Sequence, residues 1–308
     1  MIRIRIPATA ANLGPGFDCM GLALDLWNTV ELYPQANGIT VESHGEGAAS
    51  LPTNATNLIA QTLICEADSL MGKAPSGFKI VAHNTIPCAS GLGSSSTATL
   101  AGVIFAHAWA NHAAGLDPCD LNLDVVLARA VAIEGHGDNV APALLGGLVI
   151  VVPDEVGVLK QRIPCVPIKT VVCVPEFNYL TKDARKALPD SYSKADAIYN
   201  IGRAVLVAEA LRSGDDALLA QSMNDRIHEP FRFPSIPGAS SAAASAVENG
   251  AVAVCLSGAG PGVIAFTRGH FDRIGRGMNE AFAAAGLTSR YWILDPTSEG
   301  THISRLPA

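Results

Sequence analysis

The segment Pro87, Cys88, Ala89, Ser90, Gly91, Leu92, Gly93, Ser94, Ser95, Ser96, Thr97 separates a strand-like run at residues 78–84 from a long small-residue helical stretch at 94–113. A strand that breaks at glycines and restarts as a helix leaves free backbone N–H groups at the helix start, where the helix dipole also favours an anion. Glycine lets the main chain approach such an anion closely. The hydroxyls of Ser94, Ser95, Ser96 and Thr97 can donate to phosphate oxygens, and one of them can ligate Mg²⁺. The two common nucleotide loops do not fit. GxxxxGK[ST] lacks its lysine here, and in GxGxxG the third glycine is replaced by Ser96. From this loop alone, phosphate binding and an ordinary helix start packed on its neighbour stand as equal alternatives.

At 308 residues the chain is long enough for two domains, each with a sizeable core and with a cleft between them. Apolar residues at 49% and charged residues at 16% describe an ordered, compact chain. A net charge of −7 gives no general attraction for nucleic acid or an anionic membrane, so any anion must be bound locally. The seven cysteines are scattered and never spaced as CxxC, which indicates neither a disulfide framework nor a zinc cluster and fits a reducing cytoplasm. Arg3 and Arg5 alternate with Ile2, Ile4 and Ile6 ahead of Pro7, a strand pattern and not a signal peptide; the apolar stretch 98–110 is too short to span a bilayer. A soluble, cytoplasmic protein is expected.

Strand patterns at 2–6, 27–33, 38–43 and 78–84 alternate with helical spacing at 57–70, 94–113 and 121–134, and 146–153 reads as a buried strand. The turn-rich segment 157–167 is the expected domain crossing, giving domains at 1–160 and 161–308. Beyond it, strands at 168–174, 252–256, 263–267 and 289–294 interleave with helices at 194–212, 216–223, 239–249 and 270–285. A second glycine cluster, Ser257, Gly258, Ala259, Gly260, Pro261 and Gly262, has Val263 where a dinucleotide fingerprint needs its third glycine. Alone, it fits a tight strand connection better than a nucleotide site.

The opening segment Pro7, Ala8, Thr9, Ala10, Ala11, Asn12, Leu13, Gly14, Pro15, Gly16, Phe17, Asp18 is too long and too particular for a structural turn. Together with 91–97 and 257–262 it resembles, in order and spacing, the three signature motifs of the GHMP kinases. Within that superfamily the continuation through Cys19, Met20, Gly21, Leu22, Ala23 and Leu24 resembles the homoserine kinase branch. So do the segment 134–143 ahead of Gly146 and Gly147, the block 181–185 and the block 228–232. One departure is Gly137, where many members of the branch carry proline; it is expected to loosen the loop without removing a polar group.

The resemblance implies a two-domain α+β fold, with an N-terminal domain like the second domain of ribosomal protein S5, a ferredoxin-like C-terminal domain, and ATP and substrate in the cleft. It implies transfer of the ATP γ-phosphate to the hydroxyl of L-homoserine, a step of threonine biosynthesis, by a protein whose relatives often form homodimers. Pro87, Ser90, Gly91, Leu92, Gly93, Ser94, Ser95, Ser96 and Thr97 would hold the nucleotide. Asn57 would contact adenine, with a helix N-cap as the equal alternative. Glu134 with Ser94 or Ser95 would ligate Mg²⁺.

Homoserine presents a carboxylate for Arg185 and Arg232, an ammonium for Asp18, and polar groups for Asn12 and Asn139. Asn139 stands near the point where several relatives carry an aspartate base, and an amide cannot accept the proton. Phosphoryl transfer needs alignment and charge stabilisation more than early deprotonation, so a base-free site is reasonable, with His136 and Asp138 as competing bases. A transition-metal site from Glu134, His136 and Asp138 is disfavoured because three groups in one short loop rarely wrap a metal. The rival readings are another GHMP small-molecule kinase and a non-catalytic ligand sensor on the same fold; a dinucleotide oxidoreductase is disfavoured by both failed fingerprints.

Overall fold

The structure is a computed structural model and describes residues 2–155 and 157–306. In β1 (Ile2–Ala11) the isoleucines at 2, 4 and 6 are buried while Arg3 and Arg5 face out, as the two-residue period of a strand requires. β2 (Met20–Pro34) returns antiparallel beside it, with a register shift between Pro7 and Ala8. β3 (Gly38–Gly45), α1 (Leu58–Met71) and β4 (Gly77–Asn84) form a unit in which β3 and β4 pair in parallel, which the crossover helix makes possible. After the glycine-rich turn come α2 (Ser94–Ala113), α3 (Leu123–Glu134) and α4 (Val140–Leu145). The small residues of α2 let it lie close against α1: a side chain at Gly102 would come within 2.5 Å of Thr62 Cβ. The hairpin β5 (Leu148–Asp154) and β6 (Gly157–Ile163) then joins the sheet along the first residues of β2.

The second half runs β7 (Lys169–Pro175), α5 (Thr181–Lys186), α6 (Lys194–Ser213), α7 (Asp216–Ser222), α8 (Glu229–Arg232) and α9 (Ala239–Glu248). The hairpin β8 (Ala253–Leu256) and β9 (Val263–Thr267), α10 (Phe271–Ala284) and β10 (Ser289–Leu294) complete it. These strands form an antiparallel sheet in the order β10-β7-β9-β8, the split β-α-β arrangement of ferredoxin-like folds. The chain then crosses back, and β11 (His302–Arg305) pairs with β1 to complete a seven-stranded first sheet.

The chain passes from the first sheet to the second between Ile163 and Lys169, at the end of the turn-rich segment expected to hold the crossing. Residues 157–163 form β6 of the first sheet and 302–305 rejoin it, so a cut after residue 160 runs through a strand. The turn residues that suggested a linker include Gly157, which opens β6 at the β5–β6 turn. Ala239 to Ala246, by contrast, lies in α9, where a helix was expected, and buries Ala239, Ala242 and Ala246.

Candidate active site

Three turns meet where the two halves face each other, and each is held by the others. Leu92 accepts the N–H of Thr9 at 3.1 Å, and Ala11 accepts that of Gly258 at 3.1 Å. Asn12 donates from Nδ2 to the Gly258 carbonyl at 2.8 Å, while its Oδ1 accepts the Asp18 N–H at 2.9 Å. Ser257 donates its hydroxyl to the Gly91 carbonyl at 2.8 Å, and the Gly262 N–H donates to Ser90 at 3.2 Å. The cluster 257–262 is therefore both a tight strand connection and a clamp on the loop before α2. Gly91 (φ +80°) and Gly93 (φ +76°) sit in left-handed conformations, and side chains there would run into the Ser257 carbonyl and the Thr9 hydroxyl.

In chain order, the second and third of these turns border a cavity of about 730 Å³. Gly93 caps α2 without a side chain, so the N–H groups of its first turn are left for a ligand. Ser96 and Thr97 are each 2% exposed, and their hydroxyls donate to Glu134 Oε2 (2.8 Å) and to the Ser94 carbonyl (2.9 Å). Ser94 and Ser95 remain accessible. Of these, Ser95 Oγ lies 3.4 Å from Glu134 Oε1, whereas Ser94 Oγ lies 3.9 Å from Cys88 Sγ. Thr99 donates to Glu134 Oε1 at 2.5 Å, which fixes the carboxylate at the foot of α2. Asn57 caps α1 through Oδ1 (Ile59 N–H, 3.0 Å), donates from Nδ2 to the Pro52 carbonyl at 2.9 Å, and also lines the cavity.

The loop after α3 also lines the cavity, through His136 and Asn139. His136 Nδ1 lies 2.6 Å from Asp138 Oδ1, and Asp138 is buried. Burial opposes a charge on His136, yet the hydrogen bond and charge of Asp138, with Glu134 and Asp18 further off, raise its pKa above the ordinary histidine value. Asn139 Oδ1 accepts the Thr9 hydroxyl at 2.7 Å. Gly21 on β2 packs so closely that any side chain there would strike the Asp138 carbonyl. Gly137 is buried with its Cα side against Val151, so packing holds the loop where looseness was expected.

Around Phe17 the charged residues gather. Arg185 makes a two-pronged pair with Asp18 at 2.9 and 2.8 Å and lies 6.0 Å from the Phe17 ring centre. Arg232 is 1% exposed, lies 5.2 Å from the same ring, and bonds through Nη1 to His228 Nδ1 at 3.2 Å; its Nε has no partner. Burial lowers its pKa, with the nearby charge of Asp18 acting the other way. His136, Asn139 and Arg185 line the cavity; Asn12, Asp18, Asp138 and Arg232 do not.

The family profile "GHMP kinases N terminal domain" matches residues 56–147, and "GHMP kinases C terminal" matches 207–284. Homoserine kinase of Desulfitobacterium hafniense is 37% identical over 305 residues, spanning 98% of this chain and 100% of that one. Homoserine kinase of Moorella thermoacetica is 39% identical over 298 residues, spanning 96% and 98%. The chain belongs to the homoserine kinase family of the GHMP kinases. The crystal structure of homoserine kinase from Cytophaga hutchinsonii matches it with a TM-score of 0.83 at 28% identity, covering 98% of this chain and 97% of that one. The two-domain α+β GHMP kinase fold thus extends over nearly the whole chain. No helix among the described residues is long and apolar enough to cross a membrane.

Several residues of this candidate site were not singled out by sequence. Thr9 and Phe17 lie inside the first motif, but nothing local marks the one as the partner of Asn139 and the other as the ring beneath two arginines. Lys182 and Tyr179 line the cavity, and the Tyr179 hydroxyl is buried without a partner. His228 opened a block of family resemblance without an assigned role; spatial contacts with Gly14 and Arg232 supply one.

Proposed function

We propose that this protein transfers the γ-phosphoryl group of ATP to the hydroxyl of L-homoserine, giving O-phospho-L-homoserine and ADP, with Arg232 as the observation that carries the choice of substrate. A guanidinium 1% exposed with no carboxylate bonded to it is costly unless an anion arrives. An α-amino acid brings an anion and a cation together. Its ammonium takes Asp18 and its carboxylate takes Arg185 and Arg232, so the Asp18–Arg185 pair opens onto the substrate without stranding a charge.

ATP lies along the start of α2, with Asn57 toward the adenine and residues 87 and 90–97 around the phosphates. Glu134 and Ser95 fit Mg²⁺, a hard cation that takes one or two carboxylate or hydroxyl oxygens and completes its shell with phosphate and water. Bound there, it supplies positive charge to the phosphates. Asn139, with its Oδ1 engaged by Thr9, turns its NH₂ group to the homoserine hydroxyl and aligns it. His136 has its Nδ1 engaged by Asp138, whose hydrogen bond and charge outweigh burial and draw the ring toward its charged form, which disfavours it as the base. Transfer therefore rests on alignment and on the α2 donors, with the proton passing to the phosphate.

A coupled ADP-release assay with homoserine, serine and 3-amino-1-propanol tests this. Turnover with homoserine well above the other two is expected; equal turnover of the carboxylate-free alcohol, or no turnover at all, ends the reading. In the same assay, a His136→Ala loss beyond roughly a thousandfold would restore a dedicated base.

A further inference from the structure

We infer that His228 is a positioning residue for substrate recognition, a single buried imidazole that holds the carboxylate-binding Arg232 with one nitrogen and the first glycine motif with the other. This rests on the reading of Arg232 given above. His228 has 0% exposure, and its two ring nitrogens meet groups of opposite kind. Nε2 lies 2.8 Å from the Gly14 carbonyl, which can only accept, so Nε2 carries the hydrogen. Nδ1 lies 3.2 Å from Arg232 Nη1, which can only donate, so Nδ1 carries the lone pair. The partners thus fix one neutral tautomer. Burial, the largest influence, also lowers the ring's pKa, with Asp225 opposing and Arg232 assisting.

The surroundings are built to hold this ring. It stacks on Phe17 with centroids 5.2 Å apart, and Phe17 lies under both arginines. The backbone at His228 is fastened by Asp225, which accepts the N–H groups of Ile227 (3.1 Å), His228 (2.8 Å) and Glu229 (2.7 Å). Asn200 donates to Asp225 at 2.7 Å and to the Pro15 carbonyl at 3.2 Å, a second tie from the same cluster to the first motif. Gly14 has no room for a side chain because the Met223 carbonyl lies against it. The turn that carries Asp18 is therefore oriented from the second half of the chain, by the same group that orients Arg232. Ammonium and carboxylate recognition are set in register by one side chain.

Two substitutions separate the roles. His228→Gln keeps an N–H for Gly14 and removes the acceptor for Arg232; His228→Asn keeps an acceptor on the Arg232 side and removes the donor to Gly14. In full-length protein, His228→Gln is expected to raise the homoserine KM about tenfold or more while the ATP KM stays within about twofold. Added to Arg232→Met it is expected to cause little further loss, because the two act as one unit. Overturning results are an unchanged homoserine KM, an equal rise in both KM values with a lowered Tm, or full additivity with Arg232→Met. Should His228→Gln not fold, His228→Asn decides, because it releases the turn that carries Asp18: a homoserine KM raised about fivefold or more with the ATP KM within about twofold supports the role, and an unchanged homoserine KM overturns it. A wild-type protein that phosphorylates no homoserine removes the functional reading and this inference together, whereas an active wild type with an unmoved His228→Gln removes the inference alone.

Discussion

Arg185 and Arg232 lie over one Phe17 ring in different electrostatic states, and that difference decides what each substitution does. Arg185 is part-exposed and neutralised by Asp18, while Arg232 is buried and bonded only to a neutral ring and a π face. On the proposed function, replacing Arg232 by methionine removes charge-assisted hydrogen bonds to the substrate carboxylate, each worth about 1.5–3 kcal/mol, so the homoserine KM is expected to rise roughly ten- to a hundredfold or more. The same change removes a buried charge without a counterion, so Tm should hold or rise. Steady-state kinetics and a thermal melt on one preparation check both halves; a lower Tm with an unchanged KM would sink the assignment. Asp18 and Arg232 stood out in the sequence because they sit in motifs. That Asp18 pairs with Arg185 was not legible there, because 167 positions separate them and no local pattern records a contact made through space.

Among the elements, length decided what could be read. Long periodic helices such as α2 and α6 and the β-branched runs of β7 and β9 stand where the sequence places them. The short ones, α4, α5 and α8 at six residues or fewer and the four-residue β11, are too brief to show a period, and tertiary contacts fix them. α8 illustrates this. Its first residue, Glu229, is buried and accepts the Leu256 N–H through Oε1 at 2.7 Å, tying the helix that carries Arg232 to the end of β8. Burial, with Asp225 nearby, pushes this carboxyl from the ordinary 4.5 up to about 8. Between those values the folded chain holds a proton that the unfolded chain has released, so the group lowers stability progressively as pH rises through that window. Glu229→Gln keeps the acceptor and removes the titration. Urea unfolding should find the variant equal to wild type near pH 4.5 and more stable by on the order of 1–3 kcal/mol near pH 8. Parallel pH profiles would show that the carboxyl ionises freely in the fold.

At the scale of the whole molecule, the two halves share what a length argument assigns to each alone. One core lies within the first half, around Phe78, Phe105 and Ile80, and another within the second, around Ile274, Met278 and Phe282. A third joins them: Ala8, Leu22 and Leu24 of the first sheet pack with Val172 and Phe266 of the second and Leu211 of α6. Apolar patterning announces that a strand face is buried but not what covers it, so this shared layer left no sequence signal. Together with the interlocked glycine turns and the return of β11 to β1, it couples the halves energetically. Calorimetry should therefore show one unfolding transition for the chain. Phe266→Ala, which empties a wholly buried site in the shared core at a cost of about 3–5 kcal/mol, should lower that transition as a unit. Trp27 and Trp109 in the first half and Trp292 in the second report on each side, so single-tryptophan versions of the protein can follow them separately. Coincident shifts at all three are expected. If Trp292 melted early while Trp27 and Trp109 kept their wild-type midpoint, the shared core would not couple the halves, and the active-site cleft would be an interface between independently stable domains.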